Sequence, residues 1–153
     1  MKYAFPIVPA NNGPIYLVAG IGVLLLAIII LMAYTAYSSR HVRFELDQAG
    51  LKIKGDMYAR FIPGSSLLID QIASLHLGRD VNYRLKWRTN GVGLPGYSSG
   101  WFKLKNGEKA LAFVTDQTRV VRIPTRDGYS VLMSVTEPDK FIQACQELFD
   151  QSG

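Results

Sequence analysis

Ile15 to Tyr37 reads IYLVAGIGVLLLAIIILMAYTAY, an unbroken apolar run with no charged residue and no proline. As a helix of about 1.5 Å per residue it would be about 35 Å long, against a hydrocarbon layer of about 30 Å. Leu, Ile and Val each favour insertion by a few tenths of a kcal/mol, so the run as a whole favours it by several. A buried core helix and a cleaved signal peptide are the competing readings. The run is too long and too evenly apolar for a core helix. For a signal peptide the apolar part is also too long, only Lys2 precedes it, and no clean small-x-small site follows. The expectation is a single membrane-spanning helix over 15–37, after a leader over 1–14 that carries Pro6, Pro9 and Pro14.

Ser38 and Ser39 would be the whole linker, with one domain over 40–151, long enough for one hydrophobic core. The positive-inside rule sets the orientation. Lys2 stands alone before the run, whereas Arg40, Arg43, Lys52 and Lys54 follow it. The domain is therefore expected in the cytoplasm, attached to the inner or plasma membrane by one pass. Cys145 is the only cysteine, so no internal disulfide can form.

Short alternating segments fill the domain. Val42–Leu46 and Leu51–Lys54 read as strands around a turn, and Met57–Ile62 and Ile72–Leu77 as two more. A basic strand follows from Tyr83, then a glycine-rich loop, Asn90 to Gly100. Trp101–Lys105 and Lys109–Thr115 flank Asn106-Gly107, a pair suited to a two-residue hairpin turn. Arg119–Ile123 and Tyr129–Met133 complete a meander in which successive strands should be neighbours. Thr136 is the expected cap of a closing helix, with Pro138 in its first turn and Phe141, Ile142, Cys145, Leu148 and Phe149 on one face.

Five stretches carry a family resemblance: Asn90-Gly-Val-Gly-Leu-Pro-Gly-Tyr, Gly100-Trp-Phe-Lys-Leu-Lys-Asn-Gly, Phe113-Val-Thr-Asp116, Ile123-Pro-Thr125, and Ser134 to Phe141. Together they resemble the bacterial pleckstrin-homology-like domain family, loosely from Val42 to Phe149 and well in the second half. The resemblance implies a mainly β fold, a split barrel of about seven antiparallel strands closed by a C-terminal helix. It implies a membrane-associated interaction domain and little else about function. Eukaryotic relatives bind phosphoinositides or proteins, with the basic motif on the first two strands. Here the richest basic hairpin lies mid-chain, so no ligand residue carries over by position.

Catalytic constellations are not visible. His41 and His76 are the only histidines, no Cys or His cluster has metal-ligand spacing, and the glycine-rich segment is not followed by Gly-Lys-Ser/Thr. The expectation is no enzyme, no cofactor and no metal. One feature has functional content. Between Arg79 and Lys109 stand seven cations against Asp80 and Glu108. If Trp87, Phe102 and Leu104 point inward, Arg84, Lys86, Arg88, Lys103 and Lys105 collect on one outer face, beside an apolar loop tip bearing Leu94 and Tyr97. Such a surface suits anionic lipid headgroups, where each cation contributes about 1 kcal/mol, or an acidic membrane protein partner. A merely solvated face is the plainer alternative. The bilayer itself is the first partner. Nucleic acid is a poor fit for so small a basic patch on a tethered domain.

Overall fold

The computed structural model describes residues 1–151. The chain divides into two compact units, Met1–Tyr37 and Ser38–Gly153.

Helix α1 runs from Gly13 to His41. Asn11 receives the Gly13 N–H on its side-chain oxygen at 3.2 Å, and Pro14 sits in the first turn, where its missing N–H costs nothing. The helix is long and apolar enough to cross a membrane, and its most apolar stretch is wholly exposed. It also continues past Tyr37. Ser38 and Ser39, expected as a linker, are helical, and the Val42 N–H still bonds the Ser38 carbonyl at 3.2 Å. Ser and Arg have adequate helix propensity, and no glycine or proline intervenes to stop the helix.

Two sheets follow. The first is three-stranded: β1 (Arg43–Asp47), β2 (Gly50–Lys54) and β3 (Phe61–Pro63), all antiparallel. The second has β4 (Ala73–Leu75), β5 (Leu85–Leu94), β6 (Tyr97–Leu104), β7 (Lys109–Val114), β8 (Val120–Pro124) and β9 (Ser130–Ser134), in the order β4-β8-β9-β7-β6-β5. Among the described residues nine strands in two sheets replace the expected barrel of about seven, and no closed barrel forms. Pro63 ends β3, since it has no N–H for a ladder, and the chain then makes two short 3₁₀ turns. An isolated bridge, Leu67 to Thr125, spans that gap.

The simple meander is also corrected. β8 does not pair with β7. It forms a hairpin with β9, and β9 inserts beside β7 in parallel. The physical reason lies in burial. Ala110 to Val114 and Ser130 to Met133 are buried at every position, so both strands need cover on both faces and belong in the middle of the sheet.

Alternation then sorts the core onto two faces. Leu111, Phe113, Val121, Ile123, Val131 and Met133 pack against Leu51, Ile53 and Ile62 of the small sheet. On the opposite face Phe102, Leu104, Ala110, Ala112 and Leu132 pack with Leu75 and Leu77. Helix α2 (Pro138–Asp150) lies against β4 and β8 and sets Phe141, Ile142 and Phe149 on the first cluster. Thr136 does not cap it. Glu137 occupies that position, with no side-chain cap bond, and Pro138 opens the helix. Cys145 is fully buried, and burial pushes its thiol up to about 12.

Candidate functional site

The glycine-rich stretch is ladder, not loop. β5 runs through Asn90 to Leu94, β6 starts at Tyr97, and only Pro95-Gly96 turns between them. Gly91 pairs directly with Gly100. A Cβ on Gly91 would lie 2.3 Å from the Ser99 carbonyl oxygen, and one on Gly100 2.6 Å from that of Asn90. The two backbones approach so closely there that no side chain fits, which is what these two glycines provide.

Two bulges break the register nearer the start of β5. Leu85 pairs with Leu104 but Trp87 with Lys103, and Arg88 pairs with Phe102 but Asn90 with Trp101. β5 carries the extra residue each time, Lys86 and then Thr89. Each extra residue resets which side chains share a face. The expected single basic face therefore does not form. Arg88 shares the side of Phe102, which is buried in the second cluster. Trp87, expected inward, pairs with Lys103 and is 58 % exposed.

The other sequence-predicted residues have varied fates. Arg84 precedes β5, and its guanidinium donates to the carbonyls of Leu77 (2.6 Å) and Gly78 (2.5 Å). It latches the β4–β5 connection and is half-buried. Lys86 is exposed, with Nζ 4.9 Å from the Trp87 ring. Lys105 is exposed just beyond β6, its N–H bonded to the Arg84 carbonyl. Leu94 is half-buried at the end of β5. Tyr97, expected at an apolar tip, is only 6 % exposed. Its hydroxyl lies 3.0 Å from Ser38 Oγ and donates to the Asp56 carboxylate. Burial first, and the Asp56 bond second, push its hydroxyl up to about 12.

Asp56 was not legible as the hub it is. It accepts from Tyr97, from Ser99 Oγ at 2.6 Å and from the Tyr58 N–H at 2.9 Å. Tyr58 in turn donates to the Asn90 side chain at 3.0 Å, and the Arg60 guanidinium stands 5.2 Å from the Trp101 ring. The β2–β3 connection is thus strapped across β5 and β6. Bonds to residues so distant in the chain leave no local pattern. The one available signal was Asp56 itself, an acid between the two expected strands Leu51–Lys54 and Met57–Ile62.

What gathers at the start of β5 is an aromatic and cationic end. Trp87, Lys103 and Lys109 lie opposite one another on three adjacent strands. Lys109 Nζ is 4.5 Å from the Trp101 ring, whose edge meets Tyr129 at 5.0 Å. A groove of about 560 Å³ beside it is lined by Lys86, Trp87, Arg88 and Phe102 among others. Nearby acids do not neutralise the cations. Asp80 accepts the His76 N–H. Glu108 is held by Arg122 at 2.7 Å and by the Ser130 hydroxyl. Burial raises the Glu108 carboxyl, and those two bonds outweigh it, leaving it below its ordinary value. Among the described residues no carboxylate pairs with Lys86, Arg88, Lys103, Lys105 or Lys109. Nor does any group of three or more His, Cys, Asp or Glu side chains there suit a metal ion.

The basic end and Ser38 lie at opposite ends of β6. Tyr97 touches Ser38, and Lys103 is six residues further on, about 20 Å at strand spacing.

A family model described as "Bacterial PH domain" matches residues 42–148, most of the chain and all nine strands. No curated protein and no solved structure matches the chain. By its matched span and its strand-rich domain with a closing helix, the chain belongs to the bacterial PH-domain family.

Proposed function

We propose that this protein is a membrane-anchored, non-catalytic interaction module that holds an acidic partner close to the bilayer. Family membership supports an interaction module. The exposed apolar flank of α1 supports the anchor, since a side chain that water would reject needs a lipid surrounding. Arg40, Arg43, Lys52 and Lys54 against Lys2 support a cytoplasmic domain.

The observation that carries the partner's chemistry is the set of exposed cations at the start of β5, none with a carboxylate partner among the described residues. Lys103 and Lys109 stand directly opposite, an arrangement that costs stability until an anion arrives. A protein suits this end better than a lipid surface. The cations lie on two faces of the hairpin, and Tyr97, expected at an apolar tip that a headgroup layer would take up, is buried.

The test uses the full chain, in native membranes and in nanodiscs of neutral or anionic lipid. Crosslinking in native membranes should give a discrete adduct that disappears when Lys86, Arg88 and Lys103 are reversed to Glu. A chain that instead shifts its Lys103 accessibility only when the nanodisc contains anionic lipid would replace the protein partner with lipid headgroups. No adduct and no lipid response would remove the proposal.

A further inference from the structure

We infer that β5 is a docking edge, to which an extended acidic segment of a partner protein adds as a seventh strand of the larger sheet. The inference rests on the acidic-partner reading and specifies the partner's form.

β5 is outermost in the strand order, with β6 on one side and no strand on the other. Outside the β5–β6 ladder, no backbone hydrogen bond reaches residues 86–94 among the described residues. In an antiparallel ladder alternate residues direct their N–H and C=O away from the neighbour, so this edge is a row of open donors and acceptors. Asn90 to Leu94 pairs with β6 without interruption, and provides a regular stretch for a partner strand. Gly91 and Gly93 leave that stretch without bulk.

The charges choose the occupant. Arg88 lies on one face of the hairpin and Lys103 on the other. A flat lipid surface meets one face at a time. An added strand sends successive side chains to both. Lys103 sits one strand in from the edge, about 10 Å from an added backbone, which two long side chains can span together. Lys86, at the first bulge, is exposed on the edge strand itself. A second copy of β5 would bring Lys86 and Arg88 against their own kind, and the bulges spoil flat self-pairing. The charges that repel another copy attract an acidic strand, which pairs along the regular stretch from Asn90 to Leu94.

The experiment offers the full chain in neutral-lipid nanodiscs two pools of ten-residue peptides. Each peptide carries Asp or Glu at two pairs of adjacent positions among Thr and Val. The second pool is N-methylated at every residue, which removes the N–H donors of both strand edges and keeps the charge. The unmethylated pool is expected to bind and the methylated pool not. Reversing both Arg88→Glu and Lys103→Glu should weaken binding about tenfold or more, and either alone less, because each face contributes. Thermal melting of each variant reports whether it has folded, and Lys140→Glu, on α2, serves as a charge control that should bind normally. Equal binding of both pools overturns the docking edge and leaves the acidic-partner reading standing. Failure of both pools, with the folded wild-type chain, overturns both.

Discussion

Tyr97 and Glu108 are single side chains whose bonds come from far along the chain, and each gives a pH response of its own. Tyr97 stays neutral in the folded state up to about 12, against 10 when unfolded. Its stabilising effect is complete below pH 10 and is lost as pH rises through the folded value. Tyr97→Phe should flatten the alkaline fall in a melting series at pH 10 to 12. It should also cost about 1 kcal/mol at neutral pH, since Asp56 loses a donor. Glu108 behaves in the opposite sense. Its folded value lies below 4.5, so its stabilisation is present above that pH and disappears as pH falls through the folded value. Glu108→Gln should reduce the acid sensitivity between pH 5 and 3, read by the same melts. Arg84 separates a structural cation from a surface one. Arg84→Met removes two bonds to backbone carbonyls and should cost about 1–3 kcal/mol, whereas Lys86→Met should change stability by less than about 0.5 kcal/mol.

At the scale of elements, the β5–β6 hairpin is where the sequence pattern and the structure part most. Glycine and proline signals from Asn90 to Gly100 describe a loop, and local chemistry alone gives no reason to think otherwise. The ladder forms because β6 is already fixed by Phe102 and Leu104 in one cluster and Trp101 against the other. β5 then follows its register, and paired glycines absorb the close approach. Gly91→Ala would place a methyl 2.3 Å from a backbone oxygen that cannot move aside. It should destabilise the domain by about 1–3 kcal/mol or more. Gly13→Ala, at an open helix position, should be neutral or slightly stabilising. Chemical denaturation of the two variants side by side tests this. The bulges explain why alternation counted from Arg84 failed to put the cations on one face. Sequence periodicity assumes an uninterrupted strand, and one extra residue reverses every assignment beyond it.

For the whole molecule, the testable matter is which side of a membrane the domain occupies. A cysteine at Gln151 can report it with an impermeant maleimide, and Cys145 can stay in place because it is buried and its thiol is held neutral. Protection in intact cells and labelling after lysis is the expected pattern. Labelling in intact cells would put the domain outside and turn the search for an acidic partner to that side. The sequence by itself determined the apolar helix, the strand-rich domain, the closing amphipathic helix and the excess of cations between Arg79 and Lys109. All of these are local: a run, a period or a count within one stretch of chain. The tertiary structure alone decided that β9 inserts beside β7, that Tyr97 is buried on Asp56 and Ser38, and that the cations divide between two faces of an outer strand. These depend on which distant segments compete for the same buried face, on backbone register and on single inserted residues. Each is settled by packing over the whole domain rather than by the residues on either side.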